Sequence, residues 1–273
     1  MALLPYEYLD SVVAIGEKTK NRKTSWIATG FLFGKFFKKI DDDRHDYQTV
    51  LVTNRHVVRH FVERNKSIKI RFNPEGNKPA KKFNLDLINK RGEKLWIEHP
   101  DKDIDVAILR VPVAKAREEG MKFHIFRSDK DVISVNEMKE KGVSEGDFIY
   151  GLGFPMGIVH PDRQYVIARS GSIARIKDLF ENFSKNFCVD LFVFPGNSGG
   201  PIIIRPEITH VERTKHITYP YLIGIVASYM PYQDIAISVQ TEKARVIFEE
   251  NSGLAKVYPI DCVLELIEKI PAD

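Results

Sequence analysis

Short apolar runs separated by polar, glycine-bearing or proline-bearing segments dominate residues 8–240. Runs of this length, rich in β-branched and aromatic residues and bounded by turn residues, predict strands. In the first half they fall at Ser11–Ile15, Trp26–Gly34, Val50–Thr53, Ile68–Phe72, Phe83–Ile88, Leu95–Glu98 and Val106–Val111. Gly30 inside the second run predicts a bend or bulge. The second half carries Phe148–Leu152, Tyr165–Arg169, Ser172–Ile176, Phe187–Phe192, Ile202–Arg205, Tyr221–Ala227 and Ile235–Val239. Many short strands with few helices predict an all-β chain of sandwich or barrel type. After residue 240 the pattern changes. Thr241 can cap a helix, Glu242 suits its first turn and Gly253 can end it. A second helix is expected from Asp261, with Val263, Leu266, Ile267 and Ile270 on the face that packs against the barrel.

The stretch from Pro112 to Gly146 is polar and charged, as in Arg117-Glu118-Glu119-Gly120 and Lys139-Glu140-Lys141-Gly142. It reads as a crossover followed by a loop with one helical turn. The expected organisation is two six-stranded antiparallel β-barrels over 1–112 and 146–240, a linker over 113–145 and C-terminal helices over 241–273.

Composition narrows the function classes. The 273 residues are 43% hydrophobic, enough for a sizeable core, and the net charge is only +4. The basic spots Lys35-Phe36-Phe37-Lys38-Lys39 and Lys78-Pro79-Ala80-Lys81-Lys82 are weak, and the acidic run Asp41-Asp42-Asp43 follows the first directly. That is a solvated hairpin tip rather than a nucleic-acid site. No stretch approaches the length of a membrane span, and the N-terminus has no signal-peptide pattern. With only Cys188 and Cys262, no disulfide is expected. Cys188 reads as a buried strand residue. These features together predict a cytoplasmic protein.

The chemistry centres on Phe194-Pro195-Gly196-Asn197-Ser198-Gly199-Gly200-Pro201, a serine inside a glycine-rich turn between apolar strands. Such a turn lets a carbonyl approach the backbone, whose N–H groups can hold a developing oxyanion. A serine hydroxyl needs an adjacent base. His56 in Thr53-Asn54-Arg55-His56-Val57-Val58 can supply it. A carboxylate must then orient the imidazole, and Asp105, at the head of Asp105-Val106-Ala107-Ile108-Leu109, is the candidate. Asp101 and Asp103 read as loop acids. The order His56, Asp105, Ser198 is one of the known chain orders of a Ser-His-Asp triad.

These segments resemble the trypsin-like serine proteases of the chymotrypsin fold, most of all the HtrA/Deg branch. Asn197 stands where secreted trypsins carry Asp. Glu145–Pro155 resembles the segment opening the second barrel, and Leu222–Val226 the strand lining the substrate cleft. The resemblance implies a chymotrypsin-like double barrel and peptide-bond hydrolysis through an acyl-enzyme. It implies an oxyanion hole from the Gly196 and Ser198 N–H groups and no cofactor. The primary pocket would be walled by about Leu191–Pro195 and Ala227–Tyr229. Phe192 there disfavours a Lys/Arg preference and favours a small or medium apolar residue. Ala227 and Ser228 would pair with the substrate as an added strand. The implied partner is a protein or peptide, neither nucleic acid nor membrane, and a homo-oligomer is compatible, since HtrA relatives often form trimers. No residues remain for a PDZ domain, and no activation sequence predicts zymogen cleavage. Three rivals stay beside this reading. His56 and His60 are four apart, but Val57 stands where a zincin needs Glu. Gly196 and Gly200 satisfy Gly-x-Ser-x-Gly, but His210 and His216 lie in a polar segment, not in an α/β-hydrolase pattern. The third is a catalytically silent pseudoprotease that binds peptides.

Overall fold

The computed structural model describes residues 4–19, 21, 23–41, 45–64, 66–111, 113–207 and 216–270. Asp42, Asp43, Pro112 and His210 lie outside the described residues. The first half runs α1 (Tyr6–Leu9), β1 (Val12–Lys18), β2 (Thr24–Lys39), β3 (His45–Thr53), α2 (Arg55–Arg64), β4 (Ser67–Pro74), β5 (Lys81–Asp86), β6 (Trp96–Glu98) and β7 (Ala107–Arg110). These strands pair in the order β5-β4-β1-β2-β3-β7-β6. The sheet curls around Val13, Ile15, Leu32, Leu51, Phe61 and Ile70. It does not close, because β5 and β6 do not pair and only the isolated bridge Ile88–Lys94 links the segment between them. That segment is a polar turn, in which Asn89 Oδ1 accepts the Arg91 and Glu93 N–H groups at 2.9 Å. The expected first six-stranded barrel is therefore a curled half-barrel.

The crossover is more structured than its charge suggests. It holds α3 (Val113–Glu118), β8 (Met121–Lys122), β9 (Phe126–Arg127) and α4 (Val135–Lys141). β8 joins β4, and β9 joins β2. Ser134 and Glu137 form a capping box at the start of α4, and Gly142 ends it with a left-handed φ of 76°.

The second half comprises β10 (Phe148–Gly153), a 3-10 turn over Pro155–Gly157, β11 (Ile167–Arg175), α5 (Lys177–Phe180), β12 (Phe187–Asp190), β13 (Pro201–Ile204), β14 (Leu222–Ile237), β15 (Ala244–Pro259) and α6 (Asp261–Ile267). The six strands close as β10-β11-β12-β15-β14-β13. Three expectations are corrected here. Tyr165–Arg169 and Ser172–Ile176 are not separate strands: Ile167–Arg175 is continuous through Gly171, where a Cβ would come within 2.2 Å of the Asp190 carbonyl oxygen. Tyr221–Ala227 and Ile235–Val239 likewise fuse into β14. The expected helix from Thr241 to Gly253 does not form. Residues 244–259 are the sixth barrel strand, so the second barrel runs past residue 240, and α6 is the one C-terminal helix among the described residues. Alternation decides this segment: Ala255 and Val257 point into the barrel, while Leu254 and Lys256 are half-exposed.

The half-barrel and barrel share a core of Phe31, Phe33, Val52 and Ile108 against Leu152, Phe154, Ile203 and Ile225, closed by Val263, Leu266 and Ile267 of α6. The stripe expected on this helix does pack on the barrels. No helix among the described residues is long and apolar enough to cross a membrane.

Candidate active site

α2 starts where β3 ends, so His56 sits in the first helical turn. Val57, Val58 and Phe61 bury the opposite face and leave the His56 ring half-exposed. Asp105 lies just before β7 and binds His56 twice. Its Oδ1 accepts the His56 backbone N–H at 2.9 Å, and its Oδ2 lies 2.5 Å from Nδ1. The Asp105 carbonyl is fixed by Asn54 Nδ2 at 2.8 Å. Buried Arg55 donates to the carbonyls of Asp101 and Lys102, holding the loop that leads to Asp105. Asp101 and Asp103 point elsewhere. Both accept from Lys185 Nζ, at 2.6 and 3.0 Å, and that bond holds the Asp101 carboxyl below its usual range.

The serine turn is two β-turns in succession. Asn197 N–H donates to the Phe194 carbonyl and Gly200 N–H to the Asn197 carbonyl, both at 2.9 Å. Gly196 and Gly199 take the left-handed third positions, with φ of 103° and 85°. Pro195 precedes Gly196, as a type II turn prefers. Neither glycine tolerates a Cβ, which would lie 2.4 Å from the Phe154 carbonyl oxygen at Gly196 and 2.2 Å from that of Thr29 at Gly199. The Pro195 carbonyl accepts from Met156 N–H at 2.5 Å. In a trans peptide, N–H and C=O point in opposite directions, so the Gly196 N–H faces away from Met156. The Gly199 N–H is used by the Val226 carbonyl at 3.0 Å. Within 196–200 the N–H groups of Gly196 and Ser198 alone find no partner among the described residues. Buried Asn197 shapes the turn through Oδ1, which accepts the Phe194 N–H at 3.1 Å.

Thr29 was missed by the sequence reading. Its N–H donates to the Ser198 carbonyl at 3.0 Å, and its Oγ1 donates to the Gly196 carbonyl at 2.6 Å while accepting from Phe154 N–H at 3.0 Å. Thr53 Oγ1 donates to the Thr29 carbonyl at 2.9 Å. One buried threonine thus ties the serine turn to Thr53, the last residue of β3 before the His56 helix. Its signal was a polar residue inside the apolar run Ile27–Phe33. Ser198 Oγ and His56 Nε2 make no hydrogen bond among the described residues.

The expected substrate wall is only partly assembled. Phe192 is exposed, stacks on Phe194 at a centroid distance of 6.5 Å, and lies against Gly253. Ala227 is buried and Ser228 exposed on β14. Asn251, also missed, donates from Nδ2 to the Val193 carbonyl at 2.6 Å and joins β15 to the wall. Cys188 is half-buried, not buried, with Sγ 3.8 Å from Met230 Sδ, and both cysteines are free.

The family model for a trypsin-like peptidase domain matches residues 28–205, a span that includes His56, Asp105 and Ser198. The chain belongs to the trypsin-like peptidase domain family. No curated protein matches it. In this peptidase domain the matched span covers most of the half-barrel, the crossover and the second barrel through β13. The hairpin of β14 and β15 lies beyond it.

Proposed function

We propose that the protein is a serine endopeptidase related to the HtrA/Deg branch, with Ser198 as nucleophile, His56 as base and then acid, and Asp105 as the group that orients His56. Asp105 Oδ2 against Nδ1 keeps the proton on that nitrogen and leaves Nε2 to take the Ser198 proton. The serine–histidine bond closes when substrate enters, since catalytic hydrogen bonds are often long in the free enzyme. Ser198 Oγ adds to the scissile carbonyl, and its proton passes to His56. The oxyanion is received by the Gly196 and Ser198 N–H groups. Protonated His56 gives its proton to the leaving amine, and water, deprotonated by His56, releases the acyl group. The observation that supports this reading best is that the two unpartnered amides of the turn are those flanking Asn197, where an oxyanion hole requires donors. Phe192 and the apolar wall favour an apolar residue on the acyl side of the cut. Hydrolysis of a peptide library tests the proposal. Wild-type protein is expected to cut after small or medium apolar residues, and Ser198→Ala to lose hydrolysis with its melting temperature nearly unchanged. Full activity in Ser198→Ala would refute it.

A further inference from the structure

β14 does not stop at the barrel. From Leu222 to Ile225 it is held by β13, and at Val226 by Gly199 and Gly200 of the serine turn; from Ala227 to Ile237 no strand pairs with its outer edge among the described residues, and the Ile235 N–H is taken by the Asp234 side chain at 2.8 Å. The free edge thus begins at Ala227, where the substrate is expected to pair, and runs through bulges after Tyr229 and Ala236 to Ile237, a span of roughly 33 Å at 3.3 Å per residue. β15 alone pairs with this extension, in register from Pro231–Asn251 to Ala236–Val246, with a bulge before Ile237–Ala244. A two-stranded ribbon is marginal in water by itself, and this one carries exposed apolar side chains on both faces. Ile235 and Ile247 are opposite each other on one face, and Ala236 and Val246 on the other. Ile237 is 63% and Phe248 54% exposed.

The two edges differ. Along β15 stand Arg245 and Glu250, the kind of charge that blunts an edge against pairing, while Glu249 reaches across the ribbon and accepts from Tyr229 at 2.8 Å and Gln233 at 3.2 Å. Along β14, residues 227–237 hold no Lys or Arg, and only Pro231 and Asp234 interrupt them. A packed second copy would cover one face of the ribbon. An added strand places alternate side chains on both faces and so meets both apolar sets. Resting on the peptidase reading, we propose that the β14 edge is an extended substrate-docking strand that takes the acyl half of an unfolded, apolar polypeptide by β-augmentation, up to about ten residues beyond the primary pocket. The residue in that pocket belongs to the acyl half. The chain that continues along β14 is therefore the part N-terminal to the cut.

The test uses apolar peptides with one shared cleavage site and acyl halves of increasing length. In wild-type protein kcat/KM is expected to rise by about tenfold or more between a three-residue and a ten-residue acyl half. The rise is expected to vanish when residues 232–250 are replaced by an Asn-Gly turn, and to fall in Ile235→Asp, with hydrolysis of the shortest peptide unchanged in both. The same fluorescent peptides are titrated onto Ser198→Ala protein by anisotropy, which reads docking without turnover. Length-dependent binding that needs the hairpin supports the proposal even if no peptide is cut. Rates and binding independent of length would overturn it. So would a length gain that survives hairpin removal, or removal that changes only the sedimentation of the protein, which would make the hairpin a dimer surface. If short peptides are cut normally, the failure belongs to the docking strand and not to the peptidase site.

Discussion

Asp105 has two jobs at once, because one oxygen holds the His56 main chain and the other its ring. Asp105→Asn keeps the first bond but offers the ring an N–H where it needs an acceptor, forcing the other tautomer. A loss of about 10⁴ in kcat is expected, as for the corresponding change in the triad template, with little change in melting temperature; retained kcat would remove Asp105 from the mechanism. Gly196 is constrained twice, by its positive φ and by the Phe154 carbonyl behind it. Gly196→Ala is expected to move one oxyanion donor and lower kcat by at least about 10², measured on a peptide the wild type cuts. These residues were legible in the sequence because their chemistry is local: a serine between glycines, a histidine at a strand end, an acid before a buried strand. Thr29 was not, since its three bonds reach Gly196, Ser198 and Phe154, all distant in the chain, and an isolated threonine in an apolar run is ambiguous.

Among the elements, the β14–β15 hairpin shows where local signals mislead. Thr241, Glu242 and Gly253 fit helix punctuation, yet Glu242 and Gly253 both have positive φ, of 52° and 84°, and serve a hairpin tip and a close approach to Phe192. Strand pairing across the barrel overrode local propensity. The crossover was similarly obscured, since exposed charges such as Glu118 and Glu140 stand in the same polar stretch as a paired set around buried Asp131. Arg127 Nε and Nη2 each reach Asp131 at 2.7 Å, and Tyr219 donates to the same carboxylate at 2.8 Å. Burial pushes the Asp131 carboxyl up, and the bonds from Arg127 and Tyr219 outweigh it, leaving it below its usual value. Asp131→Ala would strand Arg127 beside Tyr8 and Tyr219. A loss of about 3–5 kcal/mol in unfolding free energy is expected from denaturant titration, and a loss under about 1 kcal/mol would show the cluster to be dispensable.

The two halves are also joined by polar bonds at the scale of the molecule. Asn73 and Gln164 exchange bonds at 2.7 Å, and Tyr258 donates to the Asp103 carbonyl at 2.5 Å. The double-barrel plan was visible in the strand spacing, while the open seam between β5 and β6 was not, because closure depends on pairing that periodicity does not encode. Near this joint the half-buried His124 stacks on Tyr8 at a centroid distance of 6.2 Å. Burial lowers its pKa, with Asp131 opposing. A lowered folded pKa means that unfolding takes up a proton. The stability it contributes is complete above the unfolded value near ~6.5 and is lost as pH falls below that value towards the folded one. Wild-type protein is expected to lose melting temperature between pH 7.5 and 5.5, and His124→Gln to lose less; equal slopes would rule out His124 as the cause. The site arrangement bears on one proposal, that the half-barrel and the barrel together hold Ser198 as an activated nucleophile. Labelling by a fluorophosphonate probe, with the adduct located by mass spectrometry, tests it most directly. One adduct is expected, on Ser198 of the wild type and absent in Ser198→Ala and His56→Ala. An unlabelled wild type, or labelling that persists unchanged in His56→Ala, would contradict it.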